Sequence, residues 1–165
     1  TMSKKWKITL GALAVLVVFC LWYTRPRSFE ELALSEKIDN MAATAIVTDF
    51  SSGLTDMKSW DIDSREGRDT VIEDLEAILN SCKYRVSLRS FFTFLDSFRG
   101  SYSIPGDKGD PLIVWGAVLE DGSTVSAQYR GSTVTITTDN RIIAKAMDKE
   151  IGDKLAAYIQ EFGWR

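Results

Sequence analysis

The sequence predicts an α+β fold, with an N-terminal single transmembrane helix followed by a two-layer domain. In that domain an antiparallel sheet, a meander, carries one helix packed across it and a C-terminal helix. Three observations predict this fold: an uncharged apolar run at residues 8–23, a helical apolar stripe after Thr70, and strand-like segments separated by turn residues across 112–147. A helix lying across an antiparallel sheet buries the apolar faces of both.

The apolar run is ITLGALAVLVVFCLWY. At about 1.5 Å per residue its sixteen residues give roughly 24 Å of helix, close to the thickness of a bilayer's hydrocarbon core. The run therefore predicts a membrane span and sets the domain boundaries. These are a basic tail at 1–7, a transmembrane signal anchor at 8–24, a juxtamembrane linker at 25–41 and a soluble α+β domain at 42–165.

A basic head before an apolar core is also typical of a cleaved signal peptide. No small-x-small cleavage site follows the run. Cys20 is preceded by Val-Val-Phe, which does not resemble a lipobox. An uncleaved signal anchor is therefore favoured over a cleaved signal and over a lipoprotein.

Aromatic residues flank the run, with Trp6 at one end and Trp22 and Tyr23 at the other. These are the positions at which interfacial aromatic anchors occur, so all three are predicted membrane-interface residues. Three lysines precede the run and two arginines follow it. The positive-inside rule then predicts a single-pass protein of the cell membrane, with a cytoplasmic N-terminus and an extracytoplasmic domain.

Charge is distributed unevenly along the chain. Residues 1–27 contain five basic and no acidic side chains, whereas the remainder contains 15 basic and 23 acidic ones, a net charge of −8. Such a domain is expected to be mildly repelled by an anionic bilayer, and nucleic-acid binding is disfavoured. The chain has no histidine, which excludes His-dependent nucleophilic catalysis and imidazole metal sites.

The first part of the domain is the least regular. Residues 29–41 fit either an extended lead-in or a short helix, and residues 43–50 are rich in β-branched residues and predict the first strand. Residues 54–67 are predicted to be a polar connection with Trp60 as its core anchor.

The clearest helix of the domain is predicted over residues 70–82. Thr70 and Glu73 form a candidate capping box, and apolar residues recur at helical spacing through Cys82. Residues 85–98 then become strand-like, with an aromatic cluster. The two cysteines cannot pair, since Cys20 lies in the predicted span.

The last third of the chain predicts a meander and a helix. Residues 112–119 are almost wholly apolar and predict a central strand, and Asp121-Gly122 predicts a hairpin turn. Further strands are predicted at 124–130, 133–138 and 141–147, and the final helix at about 149–162, capped by Asp148.

One basic, aromatic-rich stretch stands out in the acidic domain, at residues 83–102. Interleaved cations and aromatic rings are typical of a surface that contacts an anionic partner, such as lipid headgroups, an anionic wall polymer or an acidic protein. A strand with inward aromatics and outward arginines would show the same pattern. The predicted partner-binding residues are Lys83, Arg85, Arg89, Phe92 and Arg99.

Two possible calcium-binding patterns are rejected, the first by its spacing and the second by its number of ligands. Counted from Asp61, an EF-hand would need its glutamate where Ile72 stands. Asp107 and Asp110 are too few for a calcium site, and turn chemistry explains them. We therefore expect no metal, no cofactor and no catalytic residues.

The layout resembles the small domains that Gram-positive bacteria tether outside their membranes, and the cystatin-like wrap of a sheet around a helix. No specific motif is shared, so no residues are transferred. The sequence is most consistent with a non-enzymatic, extracytoplasmic module that binds a protein or envelope ligand. Two alternatives stay open: an accessory subunit of a membrane complex acting through its transmembrane helix, and a histidine-free hydrolase.

Overall fold

The computed structural model describes residues 4–49, 54–61, 67–92 and 110–162. The elements in chain order are α1 (Lys4–Tyr23), β1 (Pro26–Arg27), α2 (Phe29–Ala33), β2 (Ile38–Asp49), β3 (Leu54–Asp61), α3 (Arg68–Asn80), β4 (Tyr84–Val86), a 3-10 helix (Leu88–Phe92), β5 (Leu112–Leu119), β6 (Thr124–Arg130), β7 (Thr133–Thr137), β8 (Arg141–Ala146) and α4 (Ile151–Phe162).

The strands form one antiparallel sheet in the order β1-β4-β8-β7-β6-β5-β2-β3. Its centre is the predicted meander, β5 to β8, in which each strand pairs with the next. The β2–β3 hairpin extends the sheet beyond β5, and β4 and β1 extend it beyond β8. The predicted α+β fold is thereby confirmed.

One face of the sheet is covered by helices and forms the core. Along β5 the inward side chains alternate with outward ones, so Ile113, Trp115, Ala117 and Leu119 are buried. Helix α4 packs against β2, β3 and β5, and α3 packs against α4. Leu155 and Ile159 of α4 are almost fully buried, which places the hydrophobic core between the sheet and the helices.

Three predictions about local structure are wrong. The stretch predicted to be strand-like at 85–98 is strand only to Val86, and a 3-10 helix follows at Leu88–Phe92; residues 93–98 lie outside the described part. The predicted polar connection at 54–67 contains strand β3, which pairs with β2 from Asp49↔Leu54 to Ala42↔Asp61. Strand β3 lies at the edge of the sheet and forms because its backbone hydrogen-bonds to β2. Such a strand does not need apolar side chains of its own. The side chain of Trp60 lies outside the described part of the chain.

The predicted Thr70 capping box is the third error. Helix α3 begins two residues earlier, after Gly67 (φ 85°), and has no side-chain cap. The capping box occurs at α2 instead: Ser28 Oγ accepts from the Glu31 N–H, and Glu31 Oε2 accepts from the Ser28 N–H. Helix α3 ends at Asn80, so the last two residues of the predicted helix, Ser81 and Cys82, lie beyond it.

The predicted linker, residues 25–41, contributes β1, α2 and the start of β2. Phe29 is fully buried, with its ring centroid 5.7 Å from that of Tyr84 and 5.4 Å from that of Trp115. The folded domain therefore begins within three residues of the end of α1.

Candidate interaction surface

Helix α1 is long and apolar enough to cross a membrane. The most apolar 18-residue window of its Lys5–Tyr23 segment has a mean hydropathy of 1.8, and no part of that window is buried. Composition and length do not distinguish an anchor from a signal sequence. Trp6 and Trp22, at opposite ends of the helix, are 64% and 55% exposed.

The end of α1 is joined closely to the sheet. Thr24 donates to the Cys20 carbonyl through both its N–H (3.0 Å) and its hydroxyl (2.8 Å), closing the last turn. Tyr23 packs against the hydrophobic core. Only Thr24 and Arg25 separate the helix from β1, so the helix leads directly into one edge of the sheet.

Trp22 contacts two arginines at this junction. The guanidinium carbons of Arg25 and Arg27 lie 5.9 Å and 5.6 Å from its ring centroid, within cation–π range. Arg27 Nη2 also donates to the Tyr23 carbonyl at 3.3 Å. These contacts hold the cations beside the exposed tryptophan.

Strand pairing brings further cations to the same edge. Pro26 lies opposite Arg85, and Arg85 lies opposite Lys145. The Met147 N–H donates to the Lys83 carbonyl at 2.8 Å, which continues the β4–β8 ladder. Lys83, Arg85 and Lys145 are exposed. We call the group the basic edge, and its members are Arg25, Arg27, Lys83, Arg85 and Lys145. Arg27 lies opposite the buried Tyr84, so it projects from the other face of the edge than Arg85 and Lys145 do.

Carboxylates do not neutralise the basic edge within the described residues, since none of its five members forms an ion pair there. The nearby Asp148 is already engaged, because it accepts hydrogen bonds from Lys154 Nζ and from the Glu150 N–H. The Lys154 hydrogen bond is the main reason that the pKa of Asp148 lies below its ordinary value.

The five predicted partner-binding residues therefore do not form one surface. Lys83 and Arg85 lie on the basic edge. Arg89 lies in the 3-10 helix beyond β4, Phe92 ends that helix with its side chain outside the described part, and Arg99 lies outside the described residues altogether. Whether any of them binds a partner stays a prediction.

The position of the 3-10 helix is determined by Ser90. Its hydroxyl donates to the Ile143 carbonyl and accepts from the Ile143 N–H, both at 2.7 Å. The Ser87 N–H donates to the same Ile143 carbonyl at 2.8 Å, and the Ser90 hydroxyl satisfies the Ile143 N–H where β4 has ended.

Sequence reasoning missed Arg25, Arg27 and Lys145 as members of one surface. Arg85 and Lys145 are adjacent only because β4 pairs with β8, and no local pattern indicates a pairing between segments so far apart in the chain. Arg25 and Arg27 belong to the basic edge because β1 pairs with β4. Strand β1 lies within the residues that were predicted to be a linker.

The sheet face opposite the helices contains a shallow groove of about 460 Å³. Its floor is a row of small residues on adjacent strands, Ala42, Gly116, Ser126 and Thr137. The lining offers methyl and hydroxyl groups and the carboxamide of Asn40, but no charged side chain. It contains no group for acid–base chemistry.

Acidic side chains gather elsewhere, around α2. Two cavities of about 350 Å³ each are lined there, one by Glu30, Glu31, Asp121 and Asp139 among others, the second by Glu30, Glu36 and Glu76. Burial, followed by repulsion from Glu30 and Glu73, raises the pKa of Glu76. No group of three or more metal-ligating side chains occurs among the described residues.

Two tyrosines form a polar contact inside the core. The Tyr84 hydroxyl donates to the Leu79 carbonyl at 2.7 Å and lies 3.1 Å from the Tyr129 hydroxyl. Burial raises the pKa of both phenols well above the ordinary value. Both therefore stay protonated at neutral pH and link the end of α3 to β4 and β6.

Comparisons with known proteins identify no relative: no family model, no curated protein and no solved structure matches the chain.

Proposed function

We propose that the protein is a single-pass, membrane-anchored, non-enzymatic module that acts by binding. Its N-terminus is cytoplasmic, and its domain lies outside the cell and contacts a protein or an anionic envelope ligand. The observation that carries the proposal is the direct passage of α1, an exposed apolar helix, into a sheet edge that bears five cations. An anchor built into the edge of a domain presents that edge in a set direction.

The charge distribution supports this proposal. The cations next to α1 have no ionic partner among the described residues, while six acidic side chains line the two cavities around α2. Surfaces of one sign steer and orient partners of the opposite sign. A domain with separated charges of this kind is suited to recognition of an anionic surface or polymer.

Topology is the property to test first. A C-terminal tag on the full chain is probed with protease on intact cells and again after lysis. We expect cleavage of the tagged domain in intact cells, because the positive-inside rule places the N-terminal lysines in the cytoplasm. A cytoplasmic protein carrying the same tag serves as the control for cell integrity. Protection until lysis would contradict the extracytoplasmic location.

A second function, assembly with a membrane complex through α1, is favoured by one observation. Gly11 has open space where a side chain would begin, and no residue of the span's most apolar window is buried. Small residues let membrane helices approach closely. The face around Gly11, Ala12 and Ala14 is therefore available for another helix.

Substitution of Gly11 by leucine tests this function. If α1 packs on a partner helix, we expect Gly11→Leu to reduce recovery of the complex by at least about 10-fold, as a bulky side chain separates the backbones. Leu16→Ile, at an exposed position of α1, is the matched control. Equal recovery of both variants would leave the binding domain as the functional part.

A further inference from the structure

The basic edge is positioned by the same residues that end the membrane helix. Pro26 follows Tyr23 by three residues, so its Cα lies at most about 10 Å from the end of α1. Strand β4 is one strand spacing further, about 4.8 Å, and β8 is two spacings away. With α1 in a bilayer, Arg85 and Lys145 therefore lie near the headgroup region.

The composition of this edge matches an interfacial environment. Trp22 is 55% exposed and lies within cation–π range of two guanidinium groups, and the exposed Met147 is hydrogen-bonded through its N–H to the Lys83 carbonyl. Tryptophan with arginine or lysine is typical of the membrane–water interface, where the apolar parts enter the headgroup layer and the charges meet phosphates.

Like charges also meet directly on the sheet. Arg85 lies opposite Lys145 in the β4–β8 ladder, a cross-strand pair that is destabilising without a counter-charge. Arg25 and Arg27 are held in the next segment by Trp22. An anionic surface laid against this edge would relieve the repulsion between Arg85 and Lys145.

From these observations we infer that the basic edge binds anionic lipid headgroups of the membrane that holds α1, and so orients the domain against the bilayer. The inference rests on the membrane anchoring in the proposed function. It reverses the expectation from net charge, by which the acidic domain is repelled. The net charge does not decide the matter, because the cations of the basic edge are local and have no ionic partner among the described residues.

The expected strength follows from the number of cations. Each lysine or arginine near an anionic membrane surface favours association by about 1 kcal/mol, or roughly five-fold. Reversing Arg85 and Lys145 removes two attractive groups and adds two repulsive ones. We therefore expect the ratio of docked to undocked domain to fall by roughly 25-fold or more.

The test uses the full chain in lipid nanodiscs. A fluorophore is attached at Met147→Cys in a chain that also carries Cys20→Ala and Cys82→Ala, and lipids with nitroxide-labelled headgroups act as quenchers. We expect strong quenching in discs with 30% phosphatidylglycerol and weak quenching in pure phosphatidylcholine. Addition of 0.5 M NaCl should abolish the difference, since salt screens the attraction.

Charge reversal supplies the matched comparison. Arg85→Glu with Lys145→Glu should lose the quenching in anionic discs. Arg141→Glu with Lys37→Glu should retain it, because Arg141 lies on the same face of β8 but four residues from Lys145, and Lys37 precedes β2. Circular dichroism and a thermal melt of every variant establish that the domain is folded.

The outcomes distinguish headgroup binding by the basic edge from membrane anchoring by α1. Equal quenching in anionic and neutral discs, with the chain incorporated, would overturn the inference and leave the anchoring intact. Equal quenching of the two charge-reversal variants would overturn it as well. Failure of the full chain to incorporate into discs would overturn the anchoring, and the inference with it.

Discussion

Replacement of Phe29 by alanine is expected to lower the free energy of unfolding by about 3–5 kcal/mol. The Phe29 side chain is fully buried between Tyr84 of β4 and Trp115 of β5. Its removal leaves a cavity between α2 and the sheet, and two aromatic contacts are lost in addition to the transfer free energy. Chemical denaturation of the full chain in detergent, followed by tryptophan fluorescence, measures the change.

The control for this prediction is Leu88→Ala. Leu88 is also a large apolar residue, but it is 44% exposed in the 3-10 helix, so we expect a change of about 0.5 kcal/mol or less. If Phe29→Ala lost no more than Leu88→Ala, the segment between α1 and β2 would be a linker in energetic terms. A large loss makes it part of the cooperative domain.

A second large effect is expected from Gly152→Ala in the first turn of α4. Alanine is favoured over glycine in a helix by about 1 kcal/mol, so propensity alone predicts stabilisation. In the structure, however, a Cβ at Gly152 would lie 2.7 Å from the carbonyl oxygen of Gly131 in the β6–β7 turn. That oxygen belongs to the backbone, which cannot rotate away as a side chain does.

We therefore expect Gly152→Ala to destabilise the domain by about 1–3 kcal/mol, as overpacking does. The helix or the turn must shift, and Gly131 is itself constrained by its left-handed φ of 57°. Denaturation of the full chain under the same conditions measures the loss. Ala157→Leu, at an exposed position of α4, should change stability by about 0.5 kcal/mol or less. A more stable Gly152→Ala protein would show that the close approach is not energetically important.

The elements predicted most accurately from sequence are those with strong local signals. The apolar run gives α1, the continuous apolar segment gives β5, and the hairpin around Asp121-Gly122 joins β5 to β6, with Gly122 at a φ of 81°. Each depends on residues close together in the chain, since periodicity and turn chemistry act over a few residues. Strand β3 was missed because an edge strand gains its hydrogen bonds from a neighbour and needs no apolar pattern of its own.

For the candidate surface, too, local sequence signals identified some residues and only the pairing of distant strands identified the others. A run of cations and aromatic residues was enough to single out Lys83 and Arg85. Local sequence carries no signal that joins them to Lys145 or to Arg25 and Arg27, because register between distant strands depends on the packing of the whole sheet. The 3-10 helix likewise depends on Ser90 reaching the backbone of Ile143, 53 residues away.

By itself, then, the amino-acid sequence determined the apolar N-terminal helix, the α+β class of the domain, the meander and the excess of acid over base, because composition and short-range periodicity contain that information. Only the tertiary structure decided where the charges lie. Pairing of β1 with β4 and of β4 with β8 brings cations from three segments to the edge beside α1, since hydrogen bonding between strands joins residues by space and not by order in the chain.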